Sequence, residues 1–253
     1  MSVEPRRDRS RTREEFGDLR KGTMQGGVFR TIRAILLMLC RLLIGLKIEG
    51  LDNIPKTGGV LVVGNHLHNA DPVLIAIACT RPIHYMGKRE LFEVPVLRRI
   101  IRFGGTFPID RGHPDRWAIR RSEETLRQGI ALGMFPEGTR SKSGALKEAL
   151  PGAGLIGLRA NAPILPVAVI GTERLPFNGK RPPIGRKAGI RGARVVFGEP
   201  FTLPREIDGK RLSAADASVF MMHKIAALLP PGYRGVYADE VQAAQVKAEY
   251  AQP

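Results

Sequence analysis

The chain has 253 residues, of which 43% are hydrophobic, and its mean hydropathy is −0.11. This length suits one large α/β domain, and the hydropathy excludes a protein built from many membrane spans. The 40 lysines and arginines outnumber the 24 aspartates and glutamates, and the resulting net charge of +16 favours anionic partners. Both cysteines, Cys40 and Cys79, lie in apolar runs, so neither a disulfide framework nor a structural zinc site is expected.

The first 49 residues divide into two segments. Residues 1–24 are rich in arginine and acidic residues with little apolar content, which predicts a disordered basic arm. Residues 25–49 predict an amphipathic helix with arginines at positions 30, 33 and 41 on its polar side. The apolar face is formed by Phe29, Ile32, Leu36, Leu39, Leu43 and Leu46. Because Arg41 interrupts the apolar run, we expect this helix to lie at a membrane interface rather than to cross the bilayer, with ordinary packing on the core as the alternative.

From Gly50 onward, short apolar runs alternate with segments of helical pattern. GVLVVGNH predicts a strand and DPVLIAIAC a helix, Asp115 is a predicted helix N-cap, and the alternation ends with a helix around AADASVFMMHKIAALL. Such alternation is typical of an α/β fold with helices on both faces of the sheet. We expect one domain over residues 50–235, which includes a basic loop over residues 172–194, and then a polar C-terminal tail over residues 236–253.

The segment GNHLHNADP, residues 64–72, places several polar groups between an apolar strand and a helix. A structural interpretation is that Asp71 followed by Pro72 begins the helix, where a carboxylate caps free N–H groups. A catalytic interpretation is that the loop lies at the carboxyl end of a strand, where α/β sheets carry their chemistry. A histidine oriented by a carboxylate can take a proton from a substrate hydroxyl, so this chemistry needs no serine or cysteine nucleophile.

Two further polar segments follow predicted strands. FPEGTRS, residues 135–141, combines the turn residue Gly138 with a carboxylate, a hydroxyl and Arg140, and such a turn offers backbone N–H groups and a guanidinium to phosphate. GGTFPIDR places Arg111 after another strand as a second candidate for binding an anionic head group. Taken alone, the FPEGTRS turn could equally be a surface turn with Arg140 in a salt bridge.

Together these segments resemble the sequence blocks of the glycerolipid acyltransferase family, typified by 1-acyl-sn-glycerol-3-phosphate acyltransferases of the PlsC type. The matching residues, in block order, are Asn65, His66 and Asp71; Gly105, Phe107 and Arg111; Phe135–Ser141; and Ile164–Gly171. The segment KRELFEVP, which starts at Lys88, is also similar to the family. The resemblance covers the chain from Leu51 to Phe201, and the joint match is far more specific than any single block.

The resemblance implies a glycerol-phosphate acyltransferase-like fold, an α/β fold with a mixed, largely parallel sheet flanked by helices. The implied reaction transfers a fatty acyl group from acyl-CoA or acyl carrier protein to the sn-2 hydroxyl of 1-acyl-glycerol-3-phosphate, giving phosphatidic acid. His66 would be the general base and Asp71 would orient it, with His68 as a competing base. The family implies no redox cofactor and no catalytic metal.

The resemblance also implies a set of substrate-binding residues and partners. The expected substrate-binding residues are Asn65, Lys88, Gly105, Arg111, Glu137, Gly138, Thr139 and Arg140. Arg111 and residues 137–140 would hold the glycerol phosphate, and Lys88 or the backbone N–H groups near Gly104 and Gly105 would stabilise the oxyanion. The expected partners are a membrane lipid substrate and an anionic membrane surface, with acyl carrier protein as the alternative donor. We expect a peripheral or monotopic protein on the cytoplasmic face of the cell membrane.

Two alternatives to this function remain at the level of sequence. The acceptor can be a different one, such as another lysophospholipid, glycerol 3-phosphate, an amino-acid lipid or a glycolipid. The net charge of +16 also allows a basic nucleic-acid-binding module. The aromatic content of 6% and the lack of a helix-turn-helix or stacking-platform signature disfavour nucleic acid.

Overall fold

A seven-stranded sheet forms the centre of the computed structural model, which describes residues 18–24, 26–109, 115–176, 192–207 and 209–239. The strands of this sheet are β1 (Lys47–Glu49), β2 (Val60–Gly64), β3 (Ile83–Lys88), β4 (Phe107–Ile109), β5 (Ala131–Met134), β6 (Ile164–Ile170) and β7 (Arg194–Phe197). A separate two-stranded hairpin is formed by β8 (Glu206–Ile207) and β9 (Lys210–Arg211).

The strand order in the sheet is β1-β7-β6-β2-β5-β3-β4. All neighbouring strands are parallel except β6 and β7, which run antiparallel. Every residue of β2 and of β6 is buried, as expected for central strands of a sheet covered on both faces. The expectation of a mixed, largely parallel sheet is therefore confirmed.

In the described residues, six α-helices cover the sheet and its edge. They are α1 (Gly26–Ile44), α2 (Asp71–Ala78), α3 (Pro95–Phe103), α4 (Arg116–Arg127), α5 (Gly152–Ala160) and α6 (Ala214–Ala227). Short 3-10 helices span Leu51–Asn53, Arg89–Phe92, Thr172–Arg174, Pro231–Tyr233 and Gly235–Tyr237. As predicted, Asp115 caps α4, because its side chain accepts a hydrogen bond from the backbone N–H of Ala118.

The two faces of the sheet bury separate apolar cores. Leu61 and Val63 of β2 point into a core shared with α5 and α6. Val60 and Val62 point to the opposite face and share a second core with α1 and α2. The alternation of neighbouring strand residues between the two cores confirms that helices flank both faces.

The structure corrects the predicted boundaries of the domain. The N-terminal helix ends at Ile44 rather than at residue 49, because Gly45 adopts a left-handed conformation and Lys47 begins a strand paired with β7. Part of the predicted arm is also folded, since Leu19 is buried and its backbone N–H donates to the Gln128 side chain. Tyr237, assigned to the C-terminal tail, belongs to the core on the α5 and α6 side.

The buried and exposed residues of helix α1 do not follow the two faces that the amphipathic pattern predicts. Phe29 and Leu37 are buried, while Leu39 and Leu43 of the predicted apolar face are exposed. Arg33, predicted for the polar side, donates to the carbonyl groups of Ala78 and Cys79 at the end of α2. In the part of the chain that the structure describes, no helix is long and apolar enough to span a bilayer.

Candidate functional site

Three loops meet at the carboxyl edge of the sheet, because β2 lies between β5 and β6. The loop after β2 carries residues 65–70, the loop after β5 carries residues 135–140, and the loop after β6 begins at Gly171. The first two loops hold the sequence blocks expected to carry the chemistry. Their parallel strands therefore bring distant parts of the chain to one place.

His66 and Asp71 form the predicted dyad. His66 Nδ1 lies 2.9 Å from Asp71 Oδ2. His66 is 8% exposed and Asp71 is 0% exposed. The same carboxylate oxygen accepts the backbone N–H groups of Leu67 and His68, both at 2.6 Å. The carboxylate fixes a proton on Nδ1 and so leaves Nε2 of His66 as the nitrogen able to accept a proton.

The contacts of Asp71 contradict the interpretation of this residue as a simple helix cap. Asp71 is the first residue of α2 and is followed by Pro72, but its carboxylate turns back to the preceding loop. Its second oxygen, Oδ1, accepts a hydrogen bond of 2.7 Å from the hydroxyl of Thr172, which is also fully buried. Asp71 is thus held by donors from two loops and presents one oxygen to His66.

Thr172 was missed by the sequence analysis as a site residue. It directly follows the strand ILPVAVIG, within the segment assigned to the basic loop. A hydroxyl immediately after a predicted parallel strand, at the same edge as the dyad, was the available signal. The structure shows that Thr172 positions the carboxylate rather than belonging to a solvated loop.

The ring of His66 is fixed by stacking as well as by the carboxylate. Phe135 stacks on it with ring centroids 4.2 Å apart and an angle of 18° between the planes. The ring of Tyr85 of β3 is nearly parallel to that of Phe135, and their centroids are 6.2 Å apart. The first residue of the FPEGTRS block therefore supports the base directly.

His68 is engaged elsewhere. Its Nδ1 accepts the backbone N–H of Ala70 at 3.0 Å, and its Nε2 lies 3.0 Å from the carbonyl oxygen of Pro176. Since Nδ1 accepts, the proton is on Nε2 and is donated to Pro176. The geometry favours His66 over His68 as the base.

Glu137 is buried beneath the dyad. Its Oε1 accepts the backbone N–H of His66 at 3.0 Å, and its Oε2 accepts that of Lys147 at 3.2 Å. The residue is 2% exposed, and this burial raises its pKa to about 7 although both hydrogen bonds oppose the shift. The structure gives Glu137, expected to bind substrate, the contacts of a positioning residue.

Asn65 also holds the loop. Its side-chain amide donates to the carbonyl of Val169 at 2.8 Å and accepts the N–H of the same residue at 2.7 Å. The residue is 1% exposed, so these two bonds engage an amide that has little access to solvent. Asn65 thereby ties the end of β2 to β6, next to the base.

Gly138, Thr139 and Arg140 form the more accessible part of the FPEGTRS turn. Gly138 has φ of +71°, and a Cβ at this position would lie 2.5 Å from a methyl group of Leu150. Thr139 is exposed, and its hydroxyl lies 2.5 Å from Nζ of Lys147. Arg140 is half-buried, and its guanidinium makes no hydrogen bond or ion pair with any described residue. This turn offers an uncompensated guanidinium, an ammonium and a hydroxyl to an anion.

Lys88 and Gly105 lie toward the β3 and β4 edge of the sheet. Lys88, at the carboxyl end of β3, pairs with Glu90 at 2.9 Å and is half-exposed. Gly105 has φ of +80°, and a Cβ there would lie 2.2 Å from the ring of His84, so close packing requires glycine. Arg111 lies outside the described residues.

The backbone N–H groups proposed as oxyanion donors are already used. Gly104 N–H donates to Ile100 and Gly105 N–H to Arg102, which closes the end of α3. That expectation was wrong because the two glycines terminate a helix. The Lys88 side chain, which pairs with Glu90 at the carboxyl end of β3, is the remaining candidate for the oxyanion donor. Among the described residues, His, Cys, Asp and Glu form no group of three that could hold a metal ion.

Comparison with known proteins agrees with this geometry. The model of the acyltransferase family matches residues 45–170. The 1-acyl-sn-glycerol-3-phosphate acyltransferase of Bacillus subtilis is 30% identical over 158 residues, which cover 62% of this chain and 73% of that protein. A probable enzyme of the same name from Mycoplasma genitalium is 34% identical over 146 residues, covering 54% of each chain.

A solved structure supports the fold. The crystal structure of PlsC, the 1-acyl-sn-glycerophosphate acyltransferase of Thermotoga maritima, superposes with a TM-score of 0.61 and covers 89% of this chain and 81% of that one. The two sequences are 22% identical, so this likeness concerns the fold. The family model and the sequence relatives confirm the family indicated by the sequence blocks, and this chain belongs to the acyltransferase family.

Proposed function

We propose that this protein transfers a fatty acyl group from a thioester to the sn-2 hydroxyl of 1-acyl-glycerol-3-phosphate, forming phosphatidic acid. The observation that carries the proposal is the His66–Asp71 dyad, oriented from two loops, at the same sheet edge as the guanidinium of Arg140, which has no ionic partner among the described residues. The dyad can deprotonate a hydroxyl nucleophile, and the guanidinium can bind a phosphate. The names of the sequence relatives support the same acceptor.

The dyad provides general-base catalysis. Nε2 of His66 takes the hydroxyl proton while the oxygen attacks the thioester carbonyl, and the Asp71 carboxylate stabilises the imidazolium that forms. When the tetrahedral intermediate collapses, the carbon–sulfur bond breaks and the imidazolium returns the proton to the thiolate. General-base assistance of this kind is typically worth about 10² to 10⁴ in rate.

The phosphate of the acceptor fits the turn after β5. Arg140 supplies a planar pair of donors, and Lys147 with Thr139 supplies a second positive and polar group. Fixing the head group there would hold the sn-2 hydroxyl near His66 before the chemical step, which reduces the entropic part of the barrier. Arg111 stays a predicted second phosphate ligand, and Lys88 a predicted oxyanion donor.

The donor and the membrane partner complete the proposal. Acyl-CoA and acyl carrier protein both supply the required thioester and both are anionic, which suits the net charge of +16. The lipid acceptor requires contact with a bilayer, and the exposed apolar side of α1 supports peripheral or monotopic binding on the cytoplasmic face. That side is formed by Val28, Ile35, Met38, Leu39, Leu42 and Leu43.

The test is acyl transfer by the purified protein with labelled 1-acyl-glycerol-3-phosphate and either oleoyl-CoA or acyl carrier protein. We expect phosphatidic acid from the wild type and none above background from His66→Ala, whereas His68→Ala keeps most of the activity. Equal activity of His66→Ala and the wild type would remove His66 from the mechanism. If the protein acylates another lysophospholipid but not 1-acyl-glycerol-3-phosphate, that other lipid is the acceptor and the proposed one is wrong.

A further inference from the structure

Helix α3 carries an apolar stripe that the described structure leaves uncovered. Val96, Ile100 and Phe103 are 72%, 63% and 42% exposed, and no residue of this helix is buried. Their spacing of four and three residues places them on one side of the helix. A stripe of this kind on a folded surface marks contact with lipid or with another protein.

The adjoining side of α3 is basic. Arg98, Arg99 and Arg102 are exposed, and their guanidinium groups form no hydrogen bond or ion pair with a described residue. Within the described part of the chain, three positive charges therefore lack an acidic partner and lie next to exposed aliphatic and aromatic groups. This combination matches the boundary between phosphate head groups and acyl chains, whereas the core of a protein interface is depleted of charge.

The stripe on α3 adjoins the helix already proposed to contact the membrane. The backbone N–H of Met24, just before α1, donates to the carbonyl of Phe103 at 2.8 Å. A cavity of about 70 Å³ is lined both by Phe29 of α1 and by Gly104 after α3. The C-terminal end of α3 and the N-terminal end of α1 are thus parts of one surface.

We propose that α3 is a second membrane-contact element, which lies in the interface of an anionic bilayer beside α1. Val96, Ile100 and Phe103 enter the acyl-chain boundary, and the three arginines bind lipid phosphates. Because α3 starts soon after the carboxyl end of β3, this contact holds the site edge of the sheet close to the lipid. The inference deepens the proposed function, on which it rests for the presence of a lipid acceptor.

The apolar part of the inference is tested by flotation of the full chain with vesicles of phosphatidylcholine and phosphatidylglycerol. Ile100→Ser should lower the partition coefficient on the order of fivefold, since it removes an inserted side chain. The matched control is Val236→Ser, which alters a residue 60% exposed outside α1 and α3 and should bind like the wild type. Equal binding of Ile100→Ser and the wild type would overturn the inference.

The basic part has its own matched pair. Arg98→Gln with Arg102→Gln should weaken binding to the anionic vesicles and reduce its salt dependence, but should change binding to pure phosphatidylcholine little. Lys210→Gln with Arg211→Gln removes the same charge from the exposed β8–β9 hairpin and should have a smaller effect. If both pairs weaken binding equally, net charge rather than α3 drives the attraction, and the inference fails.

A depth measurement separates insertion from loss of fold. Lipids brominated in their acyl chains should quench the tryptophan fluorescence of Ile100→Trp. In Val236→Trp the quenching should not exceed that of the wild type, whose native tryptophan is Trp117. Absence of quenching at position 100 would overturn the inference. A change in sedimentation of Ile100→Ser without a change in vesicle binding would assign the stripe to self-association instead.

If the wild type binds vesicles through α3 but transfers no acyl group, the proposed reaction fails and the membrane contact stands.

Discussion

The hydroxyl of Thr172 donates to Oδ1 of Asp71 at 2.7 Å, and both residues are fully buried. The other oxygen of the same carboxylate contacts His66. Because Thr172 comes from the loop after β6 and His66 from the loop after β2, this hydrogen bond couples the two loops that form the dyad. It makes Thr172 a positioning residue for the base.

Thr172→Val should lower kcat about tenfold and leave KM for both substrates nearly unchanged, because a buried carboxylate loses one donor and its aim at His66 loosens. Thr172→Ser restores the hydroxyl and should recover most of the activity. Steady-state kinetics of the three proteins, with urea unfolding to confirm that each is folded, make the comparison. Wild-type kcat in Thr172→Val would remove the residue from the mechanism.

Glu137 predicts a specific dependence of activity on pH. Its raised pKa of about 7 means that the carboxylate gains a proton near neutrality. The protonated group accepts less well from the backbone N–H groups of His66 and Lys147, so the loop that carries the base loosens as the pH falls. Wild-type activity divided by that of Glu137→Gln should therefore decrease between about pH 8 and about pH 6. A ratio that stays constant over this range would contradict the role.

The stability effect of Glu137 has the opposite sign. Its pKa is higher in the folded protein than the ordinary value of 4.5, so the folded state binds the proton more tightly. The carboxyl contribution to the free energy of unfolding is fully present below pH 4.5 and is lost as the pH rises to about 7. Urea unfolding should show that the wild type gains stability relative to Glu137→Gln on acidification, although its activity falls. A difference between the two proteins that does not change with pH would contradict this assignment.

His84 should make the fold sensitive to acid. It is 3% exposed beneath Gly105, and burial, together with the nearby charges of Arg121 and Arg20, lowers its pKa from 6.5 to about 4. The neutral ring is favoured by folding, so its contribution to stability is present above pH 6.5 and is lost as the pH falls toward 4.

Between about pH 7.5 and about pH 5, the wild type should lose about 2 kcal/mol more of its unfolding free energy than His84→Gln does. Urea titrations at the two values give this number. Glu137 titrates in the same pH interval, and its effect on the unfolding free energy has the opposite sign. Both proteins must therefore carry Glu137, so that its contribution cancels in the comparison. Parallel losses in the two proteins would show that His84 is not the acid-sensitive group.

The dyad could be predicted from the sequence because its two members lie five residues apart, between an apolar strand and a Pro-marked helix start. The hydrogen bond from Thr172 to Asp71 could not be predicted, because the two residues are 101 positions apart and meet only when β6 pairs with β2. Strand order depends on tertiary packing, which local periodicity does not encode. The same reason explains why Asn65 was placed in the site but not recognised as bonded to Val169.

Helix α1 shows a second limit of the sequence pattern. Apolar residues occur around much of this helix, and periodicity alone does not reveal which of them the rest of the fold covers. Leu37 faces the core beside α2, while Leu42 and Leu43 are 76% and 79% exposed. Glu137 is comparable: the FPEGTRS block marked it as a site residue, but only the path of the backbone shows that its carboxylate faces His66 N–H rather than the substrate.

Arg140 provides the sharpest test of the acceptor. It is half-buried at the site edge, and its guanidinium forms no ion pair with a described residue, so we expect it to bind the phosphate. Arg140→Gln should raise KM for 1-acyl-glycerol-3-phosphate on the order of tenfold and lower kcat as well, because a bidentate contact both binds and orients the head group. Lys142→Gln removes the same charge from an exposed neighbouring residue and should have little effect.

The substrate dependence of this variant separates phosphate binding from damage to the loop. A short-chain monoacylglycerol has the acceptor hydroxyl but no phosphate, so the wild type should acylate it slowly and Arg140→Gln should do so at the same slow rate. Arg140→Lys keeps the charge but not the planar pair of donors, and it should recover less than full activity. If Arg140→Gln instead lowers transfer to both acceptors by the same factor, the guanidinium supports the loop after β5 rather than the phosphate. The acceptor would then have to be fixed by other groups at this edge, such as Lys147, whose ammonium donates to Thr139.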